Sequence, residues 1–502
     1  MCGIVGVWFP SAVGRVKNIN PAEFGSLMLA GLQHRGHHAA GLVTARHGDK
    51  DSFHDAARGI GLVFDVLTEE VIRRERYCHC AIGHNLYQTC GHNLQRNVQP
   101  FLNIIADGTE QEQIAVAHNG NLTQNQEGAR PSDSDSWCFL ESFARVSNDL
   151  PLRLRILNSL RSLSGAYALV YLHQDKHGKC SLVCVRDPNG FRPLYLAEYH
   201  FVVRGKKKVG HLAGSETRAF DRIGVDKYRE VRPGEVVVIN DNGVRSFQST
   251  AKGWAKQPEK PCVFELPYFA GVNSQVRSKE PLEALEVREA LGIRTAIEFC
   301  ECHPNIKVEA VVEVPDSSRP QASGVSKVLG IPRLDVIFRN HGAGRTFTEL
   351  QGSIIEKILR KFGFSESRIR GLKSIALVDD SIVRGNTLRE VAAYIKKINP
   401  RIKIHALIAY PPVVCPCFFG IAMSTTKELA WHKYGDIGEM ARKLNVDTLF
   451  FISYKGFFQT IELLTGYPEG QWCTACISGN MPIEVERRQY RTELEKFSLL
   501  QK

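Results

Sequence analysis

Two short stretches of this 502-residue chain carry residue types that suit catalysis. The chain begins MCGIVGVW, which places the thiol of Cys2 behind a single methionine. Removal of that methionine would give Cys2 a free α-amino group, and its pKa of about 7.7–8.0 lets it act as a base for its own thiol. The second stretch, ALVDDSIVRGNT at 376–387, places two adjacent carboxylates and an Arg-Gly pair after an apolar run. The first stretch predicts a nucleophile, and the second predicts a phosphate site.

Three further segments fit an amide-cleaving site around Cys2. LQHRGHHAAG (32–41) places Arg35 in a glycine-bounded turn, and SDSDSW (132–137) offers Asp135 to a substrate ammonium group. AHNGNLT (117–123) offers the amide of Asn119 and the backbone N–H of Gly120 as a pair of oxyanion donors. Each segment alone fits an ordinary turn, and Cys2 alone fits a small buried residue that opens a strand. Together they resemble the glutaminase domain of class II glutamine amidotransferases, which are N-terminal nucleophile hydrolases.

The stretch at 376–387 follows a predicted strand and precedes a predicted helix. Asp379 and Asp380 suit ribose hydroxyls and, less directly, a magnesium ion. Backbone N–H groups at the start of the helix suit a phosphate, and the residues that would surround it are Ser381, Arg384, Gly385, Asn386 and Thr387. The alternative is a capped turn with Thr387 as the N-cap. The segment resembles the phosphoribosyl pyrophosphate loop of type I phosphoribosyltransferases.

Two segments accompany this loop. EVPDSSRP (313–320) follows the first predicted parallel strand, and its turn, with Asp316, Ser317 and Ser318, suits pyrophosphate. NHGAGRTF (340–347) is a glycine-rich segment around Arg345 and predicts a lid that closes over the substrate and excludes water.

The pattern of apolar runs divides the chain into two halves. The first half has short runs broken by Gly, Asn and Asp, which predict strands flanked by helices near 22–34 and 134–147. The polar segment 249–261 predicts a linker. The second half opens with a predicted helix at 283–299 and then has continuous apolar runs, such as LDVIF and SIALVDDS, separated by helix-length segments. Those runs predict a doubly wound parallel sheet.

The composition excludes several classes of protein. No apolar run approaches a membrane span, and the N-terminal residues lack the basic and apolar regions of a secretory signal, so the cytoplasm is the expected location. The net charge is +11, but the basic residues are dispersed, and the densest group, RGKKK at 204–208, predicts a hairpin loop. We expect neither a nucleic-acid partner nor a membrane partner.

Taken together, the segments resemble one family over nearly the whole chain: glutamine phosphoribosylpyrophosphate amidotransferase. The resemblance rests on both chemical segments and on RDPNGFRPLYL, GSETRAFD, VFELPYFA, PCFFGIAM and CTACISG. It implies a four-layer αββα domain at 2–250, an α/β type I phosphoribosyltransferase domain at 262–470 and a tail at 471–502. It also implies that Cys2 releases ammonia from glutamine, that the ammonia crosses an internal passage, and that it displaces pyrophosphate to form phosphoribosylamine. Homodimers or homotetramers are expected.

The chain departs from the family's pattern near glutamine and at the lid. The segment GHNLYQT (83–89) keeps Thr89, an expected glutamine contact, but has Leu86 where the family has an arginine that clamps the α-carboxylate. Losing such a charge-assisted bond costs about 1.5–3 kcal/mol. Arg96 is a candidate substitute. Further departures are Gly271, where the family has an arginine, and His341 and Gly342 in the lid.

The chain has 14 cysteines. In a protein expected to be cytosolic they argue against a disulfide framework and leave packing, catalysis or metal binding as their roles. The resemblance implies that Cys262, Cys417, Cys473 and Cys476 hold a [4Fe–4S] cluster. A zinc site with the same ligands and reduced buried cysteines are the alternatives. Cys415 lies close enough to complicate the assignment. For the segments CHC (78–80) and CEC (300–302), packing is the better interpretation.

These observations leave three functions open. The first is an amidophosphoribosyltransferase in purine synthesis or a related specialised pathway. The second is a paralogue impaired in glutamine use, either ammonia-dependent or a phosphoribosyl pyrophosphate sensor. The third, nucleic-acid binding, rests on net charge alone.

Overall fold

The computed structural model describes residues 1–10, 19–46, 53–87, 95–107, 110–122, 134–249, 258–340, 354–423 and 425–485. Within these ranges, none of the helices combines the length and the apolar character needed to cross a membrane.

The described N-terminal half, up to residue 249, is built mainly of strands. In chain order they are β1 (Gly3–Trp8), β2 (Ala39–Ala45), β3 (Phe53–Ile60), β4 (Cys80–Leu86), β5 (Phe101–Asp107), β6 (Glu110–Leu122), β7 (Gly165–Gln174), β8 (Cys180–Arg186), β9 (Tyr195–Val203), β10 (Lys206–Gly214), β11 (Tyr228–Glu230), β12 (Glu235–Asn240) and β13 (Gly243–Gln248). The helices are α1 (Pro21–Gly31), α2 (Val63–Val66), α3 (Glu69–Arg74), α4 (Ser136–Ala144), α5 (Leu152–Leu160) and α6 (Arg218–Asp221).

These strands form two antiparallel sheets. The first has the order β11-β9-β10-β1-β4-β2-β3, and the second has the order β13-β12-β8-β7-β6-β5. The basic segment 204–208 forms the turn and start of the β9–β10 hairpin, as predicted, with Arg204 and Gly205 at positive φ.

The two sheets pack face to face between helices. Ile4 and Trp8 of the first sheet share one core with Val170 and Leu182 of the second. Helix α1 covers the outer face of the first sheet, and α4 and α5 cover the outer face of the second. The predicted four-layer αββα arrangement is therefore confirmed.

The described C-terminal half, from residue 258, alternates strands and helices. Its strands are β14 (Ala310–Glu313), β15 (Ile337–Arg339), β16 (Phe362–Phe364), β17 (Ser374–Asp379), β18 (Lys403–Ile408) and β19 (Thr448–Phe451). Its helices are α7 (Ala284–Cys302), α8 (Arg319–Leu329), α9 (Ile354–Lys361), α10 (Glu366–Gly371), α11 (Asn386–Ile398), α12 (Ala430–Tyr434), α13 (Ile437–Lys443), α14 (Tyr454–Thr465) and α15 (Ala475–Ser478).

The predicted parallel sheet has the order β14-β17-β18-β19, with α7 and α8 on one face and α11 on the other. One predicted strand is placed wrongly, because LDVIF contributes β15 to a separate antiparallel pair with β16. Arg333 still makes a single parallel bridge to Val311, but the chain then leaves the sheet. Val336 and Ile337 are buried while Phe338 is exposed, so the run is not buried throughout as a central parallel strand would be.

A buried network of two arginines and two glutamates joins the halves. Arg35 binds Glu216 of its own half and reaches Glu265 of the other half through two hydrogen bonds of 3.1 Å. Arg192 lies 3.5 Å from the same Glu265 carboxylate and donates to the carbonyl of Phe419. The four side chains are almost inaccessible to solvent.

Glu216 strengthens this junction from the N-terminal side. Its carboxylate accepts from the backbone N–H of Gly271 at 2.7 Å and from the hydroxyl of Ser274 at 2.6 Å, and both residues belong to the C-terminal half. The contacts with His34 and Arg35 hold the pKa of Glu216 well below its usual range although burial opposes this. The carboxylate is therefore ionised in the interface.

We predict that Glu265→Gln destabilises the protein by about 3–5 kcal/mol, because it leaves two buried guanidinium groups short of a negative charge. The midpoint of chemical unfolding should fall accordingly. Glu69→Gln is the matched control, since the Glu69–Arg73 pair is exposed and such pairs contribute about 0–1 kcal/mol. Equal midpoints for the two variants would contradict a dominant role for the network.

Candidate active site

The predicted nucleophile, Cys2, lies where the two sheets of the N-terminal half meet. Its backbone N–H donates to Oδ1 of Asn119 on β6 at 3.1 Å, which connects the first sheet to the second. Its Sγ lies 3.9 Å from the carbonyl oxygen of Tyr87, just after β4. The thiol is half-buried, so a substrate can reach it.

Asn119 and Gly120 have the properties of the predicted oxyanion donors. Asn119 is fully buried, and its Nδ2 has no hydrogen-bond partner among the described residues. An unpaired buried donor costs about 1–3 kcal/mol, so a substrate oxygen would relieve this cost. Gly120 has φ +153°, and a Cβ there would lie 2.0 Å from the carbonyl oxygen of Ala166, so only glycine fits.

Met1 covers the nucleophile in the unprocessed chain. Its side chain is buried in an apolar cluster with Val263 and Phe264 of the C-terminal half. Burial lowers the pKa of its amino group to about 6. When Met1 is removed, the amino group passes to the nitrogen of Cys2, which already faces Asn119.

Asp135, just before α4, contacts two residues of β6. One carboxylate oxygen accepts from the backbone N–H of Leu122 at 2.8 Å and lies 3.8 Å from Nδ1 of His118. His118 in turn contacts the hydroxyl of Ser136 at 2.9 Å. The predicted contact between Asp135 and a substrate ammonium group stays a prediction.

Arg35 has a different environment from the one predicted. Its Nε donates to the carbonyl oxygen of Cys2 at 3.1 Å, and its terminal nitrogens bind Glu216 and Glu265. Burial would by itself lower the pKa of Arg35, but the carboxylates of Glu265 and Glu216 outweigh this effect, so the pKa of Arg35 is raised. A contact with glutamine would require these ion pairs to open, so this geometry favours positioning of Cys2 over substrate binding.

The wall beside Cys2 is apolar where the family has an arginine. Leu86 is buried and packs with Ala39, Val98 and Cys2. Arg96, the candidate substitute, lies on the exposed 3₁₀ turn Gln95–Asn97, just before Val98. Thr89 lies outside the described residues.

At Gly271, where the family has an arginine, the side chain of Arg218 lies close by. A Cβ at Gly271 would lie 2.8 Å from Cδ of Arg218 and 3.2 Å from Oε2 of Glu216. The side chain of Arg218 therefore occupies the space beside Gly271. The lid residues Arg345, His341 and Gly342 lie outside the described residues.

The phosphate loop runs from the end of β17 to the start of α11. Gly385 is the N-cap of α11 and has φ 75°, so the helix begins at Asn386, one residue before the alternative N-cap, Thr387. Asn386 and Thr387 are exposed at this helix terminus, where free backbone N–H groups favour an anion. Arg384 is held by Glu428, at 2.7 Å from its Nε, and by the carbonyl of Ala422.

Asp379 and Asp380 are buried together at this edge of the parallel sheet. Burial and the charge of Asp380 raise the pKa of Asp379 well above its usual range. Burial also raises the pKa of Asp380, although Ser317, Ser381 and Arg288 oppose the shift. Two adjacent buried carboxylates with raised pKa values suit a divalent cation.

The segment 313–320 lies beside these carboxylates. The hydroxyl of Ser317 interacts with Asp380. The hydroxyl of Ser318 instead donates to the carbonyl of Val314, so its predicted side-chain contact with pyrophosphate is unavailable in this conformation. Asp316 lies 3.9 Å from Arg319 and 4.0 Å from Arg339.

Two residues that the sequence analysis did not single out lie between the sites. Partial desolvation and the charges of Asp380, Tyr87 and Asp379 raise the pKa of Tyr268, although 40% of this residue remains accessible to solvent. The phenol therefore lies near both the loop and the segment that contacts Cys2. Arg288 is fully buried, donates to the carbonyls of Leu266 and Ala270, and interacts with Asp380 and Glu216. Tyr268 lies in the apolar segment 266–270, and Arg288 lies beside Glu289 on a predicted helix, so neither position carried a sequence signal for a site.

The four cysteines predicted to hold a cluster come together at the junction of the halves. Cys262 and Cys473 form a parallel bridge, and the charges of Cys262 and Cys417 act on Cys476. Two groups contact the sulfurs at 3.3 Å: the backbone N–H of Phe419 at Cys417 and the hydroxyl of Tyr410 at Cys476.

No three of the junction sulfurs lie as close together as the ligands of one zinc ion. Across the described ranges, one set of three potential ligands lies within 4.8 Å of one another, and it is a different set, His79, Cys80 and Cys180. Tetrahedral zinc brings sulfurs to about 3.8 Å, so the four junction cysteines do not form a zinc site in this conformation.

Comparison with known proteins places these features in a family. No family model matches the chain. It is 34% identical over 499 residues to a chloroplastic amidophosphoribosyltransferase of Vigna aconitifolia, with 97% of this chain and 92% of that protein covered. It is 32% identical over 505 residues to the amidophosphoribosyltransferase of Mycobacterium tuberculosis, with 97% and 87% covered.

Solved structures agree with these relatives. The glutamine phosphoribosylpyrophosphate amidotransferase from B. subtilis, complexed with ADP and GMP, matches with a TM-score of 0.78 and 30% identity over 97% of this chain and 98% of that one. An allosteric regulatory enzyme of purine biosynthesis matches with a TM-score of 0.80 and 29% identity over 99% of each chain. On these similarities, the chain belongs to the amidophosphoribosyltransferase family.

Proposed function

We propose that this protein transfers ammonia, released from the side-chain amide of glutamine, to phosphoribosyl pyrophosphate, and so forms phosphoribosylamine and pyrophosphate. The observation that carries the proposal is the placement of Tyr87 and Tyr268. The backbone carbonyl oxygen of Tyr87 contacts Sγ of Cys2. Tyr268 interacts electrostatically with Tyr87 and with the Asp379–Asp380 pair. The nucleophile and the phosphate loop therefore face a common region.

In the first half-reaction, the processed Cys2 attacks the carbonyl carbon of the glutamine amide. Its amino group, held at Oδ1 of Asn119, accepts the thiol proton and passes a proton to the departing nitrogen. Nδ2 of Asn119 and the N–H of Gly120 bind the oxyanion. Cleavage of the C–N bond releases ammonia, and water hydrolyses the thioester to glutamate.

In the second half-reaction, ammonia attacks C1 of the sugar and the bond from C1 to the pyrophosphate oxygen breaks. The start of α11 holds the 5-phosphate, and Asp379 and Asp380 orient the ribose hydroxyls. These two carboxylates would also hold Mg²⁺, directly or through water, which neutralises charge on the leaving pyrophosphate. The segment at Asp316 and Ser317 contributes to the same site.

Ammonia must stay neutral and away from bulk water between the two reactions. Tyr268 lies within electrostatic range of Tyr87 and of the loop carboxylates, and Met1 packs in an apolar cluster with Val263 and Phe264. We infer that the passage runs along these residues and that removal of Met1 vacates part of it.

A [4Fe–4S] cluster held by Cys262, Cys417, Cys473 and Cys476 fits the proposed enzyme. When bound, it would act as a structural crosslink between the segment after the linker and the C-terminal tail. Arg192 lies near Cys262 and Cys417, where its charge offsets that of the thiolates. We also expect the cytoplasm as the compartment and a homodimer or homotetramer as the assembly.

A second candidate function is an ammonia-dependent enzyme with impaired glutamine use, or a sensor of phosphoribosyl pyrophosphate. Leu86 and Arg35 favour it. Leu86 carries no charge, and the guanidinium of Arg35 is already paired with Glu216 and Glu265. A sensor would release no pyrophosphate with either nitrogen donor.

We predict that Cys2→Ala abolishes glutamine-dependent pyrophosphate release and leaves ammonia-dependent release within about twofold of wild type, because the loop does not need the thiol. Alanine is also small, so methionine removal should continue. Cys300→Ala, at an exposed cysteine, is the control and should preserve both activities. Loss of both activities in folded Cys2→Ala would argue against two separable sites.

We predict that Leu86→Arg lowers the KM for glutamine by about 10–100-fold, because a new guanidinium would pair with the α-carboxylate. The ammonia-dependent rate should not change. Leu86→Met tests whether altered packing alone has this effect. An unchanged KM in a Leu86→Arg protein of normal thermal stability would show that another group already binds the carboxylate.

We predict that the apparent affinity for Mg²⁺ with phosphoribosyl pyrophosphate rises as the pH is raised from acid toward neutrality, because protons compete for carboxylates whose pKa values are raised. Asp379→Asn should weaken Mg²⁺ binding and reduce the dependence of the apparent affinity on pH. The substrate's phosphates titrate equally with both proteins, so calorimetry at several pH values isolates the contribution of Asp379. Identical slopes would contradict a role for this carboxylate.

A further inference from the structure

Outside the proposed active site, three potential metal ligands converge on one point. His79 and Cys80 are consecutive in the CHC segment, which we had interpreted as packing, and Cys180 comes from the other sheet, 100 residues later. Cys80 opens β4 in the first sheet, and Cys180 opens β8 in the second. No sequence spacing connects these two positions, so the sandwich itself creates the cluster.

The distances within the cluster match a small tetrahedral metal. The two sulfurs lie 3.8 Å apart, and Sγ of Cys80 lies 3.6 Å from Nε2 of His79. A zinc ion with Zn–S bonds of about 2.3 Å and a Zn–N bond of 2.0–2.1 Å at tetrahedral angles requires separations of about 3.8 Å and about 3.6 Å. The third pair, His79 and Cys180, lies within 4.8 Å.

The three residues are held rigidly in this arrangement. The backbone N–H of His79 donates to the carbonyl of Ala45 at 3.0 Å, and the ring of Trp8 meets the imidazole edge to face at 5.0 Å. Cys80 is fully buried and paired in register with Trp8 on β1 and Ala45 on β2. Ligands on packed strands are oriented before the metal arrives, which favours binding.

Two thiols and an imidazole are ligand types that zinc prefers. A bound cation would replace the thiol protons of Cys80 and Cys180 and neutralise the thiolates between the sheets.

We propose that His79, Cys80 and Cys180 form a site for a thiophilic divalent cation of the Zn²⁺ class, with water as the fourth ligand. The thiol of Cys180 is half-buried, so water can reach it. Cys80 begins β4 and the contact with Cys2 follows its end, which separates the cluster from the nucleophile by about 20 Å. The ion crosslinks the two sheets at the end of the sandwich opposite the nucleophile and takes no part in the amide chemistry.

The test is a Co²⁺ titration of the reduced, chelator-treated full-length protein. Wild type should bind one more equivalent than Cys80→Ser/Cys180→Ser and show a stronger thiolate-to-cobalt charge-transfer band. Cys300→Ser/Cys302→Ser, which removes two exposed cysteines, should match wild type. Cobalt bound at the four junction cysteines contributes equally to all three proteins and cancels.

Two further measurements keep the proposal falsifiable. Cys180→Ser alone, at a half-buried strand start, should fold normally by circular dichroism and still lose the additional equivalent. Zn²⁺ should raise the thermal midpoint of wild type more than that of this variant. Equal stoichiometry in folded wild type and variant, or a Cys80–Cys180 disulfide found by mass spectrometry in protein purified without reductant, would overturn the proposal.

Discussion

The two halves are held together by the buried network of Arg35, Arg192, Glu216 and Glu265. Its two positive and two negative charges balance in a region closed to solvent, where any unpaired charge is costly. Because Nε of Arg35 also donates to the carbonyl oxygen of Cys2, the network helps to set the position of Cys2. Glu265 belongs to the C-terminal half, so the position of the proposed nucleophile depends on how the two halves meet.

The same junction gives a physical route by which the two proposed reactions can influence each other. Arg288 is held by two carbonyls and interacts with both Asp380 in the loop and Glu216 in the network. A dianionic or trianionic ligand arriving at the loop would change the field at Arg288 and hence at Glu216, which is paired with Arg35. Tyr268 provides a second connection, since it lies near the loop carboxylates and near Tyr87.

The sequence was informative where function depends on neighbouring residues. Asp379 to Thr387 form a continuous strand end, turn and helix start. Continuous apolar runs predicted the parallel sheet, whereas the four-layer sandwich was implied by the family resemblance. The sequence was uninformative where function depends on distant residues, since Arg35 meets Glu265 across 230 positions and Cys80 meets Cys180 across 100. Neither the Arg35–Glu265 ion pair nor the Cys80–Cys180 contact was therefore predicted, and LDVIF was assigned to the wrong sheet. Ser318 was predicted to bind pyrophosphate because its residue type fits, but its hydroxyl is used by the backbone of its own turn.

The distribution of positive charge around Cys2 bears directly on glutamine use. Arg35 is paired with Glu216 and Glu265. Arg218 fills the space beside Gly271, and Leu86 provides an apolar surface. On the phosphoribosyl side, by contrast, the loop keeps its buried carboxylates and its open helix terminus. Without an arginine at position 86, the α-carboxylate of glutamine must be bound by another group. Arg96, on the exposed turn before Val98, is a positively charged candidate close in sequence to the apolar wall of Leu86 and Val98. Recognition from an exposed turn would be weaker than from a buried strand, because the turn must be ordered each time the substrate binds.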